Sequence, residues 1–272
     1  MIIRNKEFDI DKHTYIFGIL NVTPDSFSDG GKYADLDDIL YGVERMIADG
    51  ADVIDIGGES TRPGYERITE DEEIGRIEPA LRAVRRSFDV PISIDTYKPK
   101  VARAAIECGA DIVNDIWGVR CDREMLEAVR DSGAAYVLMH NREEPMPDEK
   151  EKEFLENIRD ELKKACSEAL GYGIAREKII ADVGIGFGKT FEQNLWILKD
   201  PACFKHLGFP LFLGASRKSV IGNALGLETG ERVEGTIVTS ILAAQAGYAF
   251  VRVHDVKENA RAIKMYEAVR DS

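Results

Sequence analysis

Cysteine is scarce in this sequence, with four in 272 residues, and no two of them form a CxxC pair. Disulfide-stapled scaffolds and cysteine-based metal sites are therefore excluded as explanations of the fold, and reduced thiols in a cytoplasmic protein are expected. No apolar run approaches the roughly 20 residues of a membrane span. Charges interrupt the first six residues, so neither a membrane protein nor a signal peptide is predicted.

Positive charge is also in short supply. Lysine and arginine number 36 against 49 aspartates and glutamates, which gives a net charge of −13. A surface of this sign repels nucleic acid and anionic membranes, and neither is expected as a partner. A small anionic ligand is still compatible with this charge, because a few local cations can outweigh a distant acidic surface.

Short apolar segments, many of them β-branched, alternate with amphipathic segments along the chain. Such strands are typical of a parallel sheet that is covered by helices on both faces. Eight strands are predicted, which is the number that closes a (β/α)8 barrel. They span residues 16–20, 53–56, 92–95, 111–115, 136–139, 179–183, 211–214 and 250–253.

The fold class is therefore α/β, and residues 1–272 are interpreted as one domain of the TIM-barrel type. Residues 1–14, with Ile2, Ile3, Phe8 and Ile10, are predicted to form a β-hairpin that plugs the N-terminal end, or bottom, of the barrel. An open doubly wound sheet is the alternative, although no glycine fingerprint follows the first strand.

Polar residues follow every predicted strand, and a barrel brings all these positions to one rim, where active sites lie. Those that are cationic or can become so suit a phosphate or diphosphate, since charge-assisted hydrogen bonds contribute about 1.5–3 kcal/mol each. They are Arg62, Arg217, Lys218, Arg252 and His254. Asp95, Asn114 and Asp182 could read the N–H and C=O edge of a flat heterocycle. Asn21 offers the hard oxygen that Mg²⁺ prefers.

Several of these residues also have ordinary structural interpretations. Asp95 could cap the following helix, Asn114 could belong to a strand-end turn, and His254 could cap the last helix. Asp55 lies within a strand and is expected to pair with a cation inside the barrel. Residues 184–190 end in Gly-Lys-Thr like a P-loop, but the two glycines have three residues between them where a P-loop needs four.

Seven segments occur in order between residues 21 and 255: NVTPDSFSDGG, DIGGESTRPG, SIDTYK, IVNDI, GIGFGK, GASRKS and VRVHDV. Together they resemble the dihydropteroate synthases, a family of pterin-binding enzymes. The resemblance implies a (β/α)8 barrel and a homodimeric, cytoplasmic transferase of folate biosynthesis that uses Mg²⁺ and is the target of sulfonamides. The implied reaction joins 6-hydroxymethyl-7,8-dihydropterin diphosphate to p-aminobenzoate and releases pyrophosphate.

The resemblance also implies roles for individual residues. Asp29, Lys218, Arg252 and His254 are expected to act in catalysis, and Asn21 is expected to bind Mg²⁺. Contacts with the pterin diphosphate are expected from Thr61, Asp95, Asn114, Met139, Asp182, Phe187, Gly214, Lys218, Arg252, Val253 and His254. The p-aminobenzoate side is expected to comprise Phe27, Arg62, Pro63 and Ser219.

The loop after the first strand is longer than a plain strand-to-helix connection requires. Asn21 is expected to belong to the fixed rim, and residues 27–31 to a lid that orders once diphosphate and Mg²⁺ are bound. The implied mechanism is dissociative, with diphosphate leaving before the arylamine attacks a pterin-stabilised cation. A closed lid would exclude the water that would otherwise capture this cation.

Three other functions stay open at this point. A pterin-dependent methyltransferase could share Asp95, Asn114 and Asp182, but it would not need the first loop motif or the pair Arg252 and His254. A non-catalytic pterin-binding paralogue would show decayed loops, whereas the loop motifs here are intact. A synthase that uses a larger arylamine is compatible with the same motifs. Val183 departs from the family, which usually has a proline there, and it leaves the backbone less constrained.

Overall fold

The structure is a computed structural model that describes residues 1–22, 36–59, 67–146 and 148–272. Its strands are β1 (Ile2–Ile3), β2 (Lys6–Glu7), β3 (Tyr15–Asn21), β4 (Val53–Gly57), β5 (Ile92–Asp95), β6 (Ile112–Asp115), β7 (Ala135–Met139), β8 (Ile179–Asp182), β9 (Leu211–Leu213) and β10 (Phe250–Val253). Its helices are α1 (Leu36–Asp49), α2 (Glu70–Ser87), α3 (Pro99–Glu107), α4 (Arg123–Ser132), α5 (Glu151–Gly171), α6 (Phe191–Lys199), α7 (Ser219–Leu225), α8 (Val233–Gln245) and α9 (Val256–Arg270).

Strands β3 to β10 are all parallel and close into a barrel in the order β10-β3-β4-β5-β6-β7-β8-β9. The barrel prediction is confirmed, and the open doubly wound sheet is wrong. Each strand predicted from the sequence overlaps an observed one, and β5 and β10 have the predicted bounds. Within the described residues, no helix is both long and apolar enough to cross a membrane.

Alternate residues of each strand face the inside of the barrel and the surrounding helices, because strand side chains have a period of two. Outward-facing residues such as Ile54, Ile56 and Val251 pack with helix residues such as Leu81 and Ile158 in one large core. The inward-facing residues near the strand starts form a second, smaller core. The fold therefore has an apolar layer under the helices and an apolar lower barrel, which leaves the upper barrel for polar groups.

The N-terminal hairpin closes the lower end of the barrel, as predicted. β1 and β2 pair antiparallel, with Ile3 opposite Lys6. Ile3 and Phe8 are fully buried and share the smaller core with the barrel residues Phe17 and Phe250. Burying a side chain of this size stabilises the fold by about 1.5–3 kcal/mol. Ile2 was predicted to help form this plug but is 58% exposed, because its side chain points away from the barrel.

Candidate active site

Three of the predicted site residues lie side by side on one row at the upper rim. Asn21 pairs in register with Gly57, Gly57 with Asp95, and Asp95 with Asn114. A Cβ atom at Gly57 would lie 3.7 Å from Oδ1 of Asn21 and 3.8 Å from Oδ2 of Asp95. Gly57 therefore keeps the space between these two side chains clear. Met139 and Asp182 pair in register on the other side of the barrel.

Arg252 reaches across the barrel from β10. Its Nε lies 2.5 Å from Oδ2 of Asp55, and one terminal nitrogen lies 2.6 Å from Oδ2 of Asp95. The expectation that Asp55 pairs with a barrel cation is confirmed. Burial alone would lower the pKa of Arg252, but Asp55 and Asp95 more than offset it and raise that pKa above its ordinary value. Arg252 is therefore charged at any physiological pH, and it retains further N–H donors for an anion.

Asp95 and Asp55 share this single guanidinium, so one negative charge is left over inside the barrel. Burial raises the pKa of Asp95 to about 7, the nearby Asp55 adds to the increase, and Arg252 opposes it. Asp95 is thus neither a helix cap nor a fully compensated ion pair. It can exchange a proton near neutral pH while it faces the mouth of the barrel.

Lys218 stands beside Arg252 at the end of the loop that follows β9. Its Nζ donates to the carbonyl of Ile185 at 2.6 Å and lies 4.3 Å from the centre of the Phe187 ring. Burial lowers the pKa of Lys218 to about 8, although Asp182 opposes this change. A Cβ atom at Gly214 would lie 3.9 Å from both Nζ of Lys218 and Cδ of Arg252, so the three predicted contacts are neighbours.

Asp182 and Asn114 complete the polar lining. Oδ1 of Asp182 accepts a hydrogen bond from the backbone N–H of Gly184 at 2.8 Å, and burial raises the pKa of this carboxyl. Asn114 is buried and its amide lies 3.5 Å from Oδ2 of Asp55. The neighbouring Asp115 has a structural role instead, since it accepts from Tyr136 and from the backbone of Trp117.

The other end of the predicted anion site lies at His254 and the loop after β9. Nδ1 of His254 is 3.0 Å from Oγ of Ser216, and the same hydroxyl accepts from the His254 backbone N–H at 3.1 Å. Arg217 pairs with Asp255 through two contacts, of 3.0 and 2.5 Å. Asp255 therefore compensates the charge of Arg217, and Ser216 orients the imidazole of His254.

Two predicted site residues occupy less direct positions. Val253 is 1% exposed and its side chain packs in the core between the barrel and the helices, so only its backbone is directed toward the site. Ser219 is exposed at the first position of α7, next to Lys218. Five predicted site residues lie outside the described residues, namely Phe27, Asp29, Thr61, Arg62 and Pro63. The predicted lid, residues 27–31, lies outside them as well.

Glu59 and Lys98 have a structural role that was not predicted from the sequence. Nζ of Lys98 lies 2.6 Å from Glu59 and 2.7 Å from Glu73, and it donates to the carbonyl of Ile68 at 2.8 Å. Tyr97 donates to Glu59 as well. These groups form a buried ion cluster behind the rim. A lysine immediately before a helix, at the end of SIDTYK, was the signal, but its partners are distant in sequence.

The Gly-Lys-Thr segment does not form a P-loop. The hydroxyl of Thr190 accepts a hydrogen bond from the backbone N–H of Gln193. The side-chain oxygen of Gln193 accepts in turn from the backbone N–H of Thr190, so the pair caps α6. Lys189 is buried and donates to backbone carbonyls of its own loop. The prediction against nucleotide triphosphate binding through a P-loop rests on the spacing of the glycines. The contacts of Lys189 and Thr190 show that these residues have structural roles in the loop and at the start of α6.

A resident metal would need several anionic or imidazole ligands. Among the described residues, no group of three or more histidine, cysteine, aspartate or glutamate side chains could hold one. Asn21, half-buried at the rim beside Asp95, supplies one neutral hard oxygen. This donor set fits a Mg²⁺ ion that arrives with a diphosphate and keeps water in its shell, which is how Mg²⁺ is usually bound.

Comparison with known proteins agrees with this geometry. The family described as "Pterin binding enzyme" matches residues 17–254. A dihydropteroate synthase from Clostridium beijerinckii is 50% identical over 270 residues and 99% of both chains. The crystal structure of dihydropteroate synthase from Clostridium difficile, obtained in the presence of pteroic acid, has a TM-score of 0.93 at 45% identity and covers 98% of this chain and 100% of that one.

A second solved structure is also similar to this chain. It is the Xanthomonas albilineans dihydropteroate synthase with 4-aminobenzoic acid, with a TM-score of 0.89 at 36% identity, and it covers 97% of this chain and 95% of that one. Both the sequence matches and the barrel mouth support one assignment: this chain belongs to the dihydropteroate synthase family of pterin-binding enzymes.

Proposed function

We propose that this transferase condenses 6-hydroxymethyl-7,8-dihydropterin diphosphate with p-aminobenzoate to give 7,8-dihydropteroate and pyrophosphate. The observation that carries the proposal is the polar mouth, where Arg252 and Lys218 lie beside Asp95, Asn114 and Asp182 at one end of a closed barrel. A relative crystallised in the presence of pteroic acid, which joins a pterin to p-aminobenzoate, and another crystallised with 4-aminobenzoic acid support this choice of product and arylamine.

The buried carboxyls and amide suit the pterin ring. Asp95, Asn114 and Asp182 are each at most 9% exposed, so a ring held by them is removed from water. Carboxylate oxygens accept from ring and exocyclic N–H groups, and the Lys218 ammonium donates to a ring carbonyl or nitrogen. Phe187, Met139 and Gly214 border the same space and offer apolar contact with the ring faces.

Arg252 and His254 suit the diphosphate. Arg252 lies on β10 and His254 lies just past its end, where the leaving group gathers negative charge as its bond to the pterin methylene breaks. The carboxylates of Asp95 and Asp182 favour the positive charge that develops on the pterin. This arrangement separates charge in the direction that a dissociative substitution requires, and the arylamine then attacks the cation and loses a proton.

Mg²⁺ is assigned to Asn21 on the same reasoning. When bound, the ion would neutralise the diphosphate and so make it a better leaving group. The remaining assignments rest on the family resemblance. Phe27, Arg62, Pro63 and Ser219 are assigned to the p-aminobenzoate side, Thr61 to the pterin diphosphate and Asp29 to the reacting methylene.

Assembly and location are proposals too. Leu195, Leu225 and Val238 are exposed large apolar residues on α6, α7 and α8, which are neighbouring helices on one flank of the barrel. Such a flank suits a homodimer interface, and sedimentation velocity would measure the mass. A cytoplasmic location is supported by the buried free thiols of Cys108, Cys121 and Cys166, which a reducing compartment would keep reduced.

The direct test mixes the protein with the pterin diphosphate, p-aminobenzoate and Mg²⁺ and measures pyrophosphate release together with dihydropteroate. We expect both products in equal amounts, and neither when p-aminobenzoate or the pterin diphosphate is omitted. A folded protein that releases no pyrophosphate would refute the proposal. Omitting Mg²⁺ and adding a chelator tests the metal separately, with a large loss of rate as the expected result.

A further inference from the structure

Lys189 lies in the loop between β8 and α6, directly behind the pterin site. Its Nζ is 2.9 Å from the carbonyl oxygens of Gly184 and Phe187 and 3.3 Å from that of His140. Nδ1 of His140 is a fourth neighbour, at 3.0 Å. An ammonium has three protons, so these acceptors saturate it. Lys189 is buried, and it serves the backbone of its own loop rather than a ligand.

The contacts of His140 fix the opposite end of this arrangement. Its Nδ1 faces the Lys189 ammonium and must accept, so Nε2 carries the proton and donates to Glu161 at 3.0 Å. Burial, and then the charge of Lys189, lowers the pKa of His140 to about 4, which keeps the ring neutral. Glu161 also accepts from Arg142. The loop is thereby tied through Lys189 and His140 to helix α5.

The loop backbone lies unusually close to the segment after β7. A Cβ atom at Gly184 would lie 1.8 Å from the carbonyl oxygen of His140, and one at Gly188 would lie 2.2 Å from that of Arg142. Both glycines have positive φ, at +69° and +54°. The carbonyl oxygens of Gly184, Phe187 and His140 converge on Nζ of Lys189, and its hydrogen bonds hold them together although burial lowers the pKa of Lys189 to about 7.

The other side of the same loop contacts Lys218, the lysine assigned to the pterin. Ile185 accepts the hydrogen bond of Lys218, and the Phe187 ring lies 4.3 Å from its Nζ. A Cβ atom at Gly186 would lie 3.0 Å from Cδ of Lys218. Lys189 donates to the backbone carbonyls of residues 184 and 187, and Lys218 contacts residues 185 to 187. The position of one lysine therefore depends on the other through the backbone between them.

We propose that Lys189 is a positioning residue for pterin binding, which sets the 184–188 loop so that Ile185 and Phe187 hold Lys218 in place against the substrate. This rests on the proposed function, because it takes Lys218 as a pterin contact. It makes Lys189 a determinant of affinity for the pterin diphosphate without any contact between the two.

The test is Lys189→Met, which retains the aliphatic stem and removes the ammonium. We expect the KM for pterin diphosphate to rise at least fivefold, while the KM for p-aminobenzoate, measured at saturating pterin diphosphate, stays within twofold. Lys199→Met is the matched control, since Lys199 on α6 makes an exposed ion pair with Glu151. It should change neither KM. A purely structural role would instead lower the melting temperature and the active fraction and leave both KM values unchanged, which would overturn the proposal.

If Lys189→Met does not fold, Gly186→Ala moves the same loop against Lys218 from an exposed position. The same selective rise in KM is expected, and an unchanged KM would again overturn the proposal. The proposed function is judged separately, by turnover of the wild type. Calorimetric titration of the wild type and both variants with pterin diphosphate measures the loop's effect on Kd even if the wild type shows no turnover.

Discussion

The two ends of the barrel are formed by the same eight strands, yet they satisfy their buried groups in opposite ways. At the lower end, Phe8, Phe17, Phe212 and Phe250 pack together, with ring centres 4.9 to 5.8 Å apart for the closest contacts. At the upper end, three buried oxygens have no hydrogen-bond partner within the described part of the chain. They are Oδ1 of Asp55, Oγ of Ser93 and Oδ1 of Asp95.

The difference separates stability from function along one axis. Aromatic contact at the lower end favours folding with no polar group left over. Each unsatisfied polar atom at the upper end lowers the stability of the fold by about 1–3 kcal/mol. The raised pKa of Asp95 has the same cause, which is the removal of a polar group from water. A site that is costly in the free protein is ready to bind a ligand that supplies the missing partners, as a pterin with several N–H groups does.

The largest effect is expected at Arg252, which contributes both to stability and to substrate binding. Arg252→Ala leaves Asp55 and Asp95 buried without their cation, which should destabilise the fold by about 3–5 kcal/mol. Loss of a diphosphate contact should also lower kcat/KM at least a hundredfold, which corresponds to about 2.7 kcal/mol. Urea unfolding and steady-state kinetics measure the two losses. Arg82→Ala, which breaks an exposed pair with Glu78, is the control, and near-normal turnover of Arg252→Ala would contradict the site assignment.

Phe8→Ala should affect the lower end alone. Removing a buried ring at the plug should cost about 3–5 kcal/mol of stability, because the cavity cannot fully collapse. The kcat/KM of the folded fraction should remain within twofold, since the plug lies at the far end of the barrel from the rim. Ile2→Ala, an exposed neighbour in the same hairpin, should change neither quantity. A tenfold fall in kcat/KM for Phe8→Ala would show that the two ends are coupled.

How far the sequence predicted each end follows from the same distinction. The lower end and the strands follow from local pattern, because apolar runs and their spacing are visible without knowing what they contact. Ile2 shows the limit, since a two-residue strand does not reveal which of its faces points inward. At the upper end, the strand-end rule and the family motifs together predicted the Asp95, Asn114 and Asp182 lining.

Contacts between distant residues were beyond that reasoning. The sequence predicted a cation for Asp55 but could not say that Arg252, 197 positions later, also reaches Asp95. The role of Lys189 was hidden for a related reason: its acceptors are backbone carbonyls, which carry no sequence signal. The contact of Ser216 with His254 and the outward direction of the Val253 side chain were not foreseen, because the sequence does not show which way a rim side chain turns.

A third variant separates the upper end from the lower one more finely. Lys218→Met should lower kcat/KM for pterin diphosphate at least tenfold, because the substrate loses a charged donor. Stability should hold or rise, since burial of an ammonium is unfavourable and lowers its pKa in the wild type. Thermal unfolding and kinetics on the same preparation check both. If Lys218→Met lost stability and kept its activity, Lys218 would belong with the structural groups and not with the site.

The smallest effect is a dependence on pH that the upper end should have and the lower end should lack. Lys218 gives the substrate a charge-assisted hydrogen bond only when it is protonated, and burial lowers its pKa to about 8. Its charged fraction falls from about 0.9 at pH 7 to about 0.25 at pH 8.5, so kcat/KM for pterin diphosphate should fall about fourfold as the pH rises. Lys218→Met should lose the part of this alkaline limb that Lys218 contributes, while the titration of Asp95 and Lys189, whose pKa values burial moves to about 7, should remain. Phe8→Ala should keep the whole limb, because the lower cluster comprises apolar residues that do not titrate. A wild-type kcat/KM that stays constant from pH 7 to 8.5 would mean that Lys218 does not contact the substrate as an ammonium.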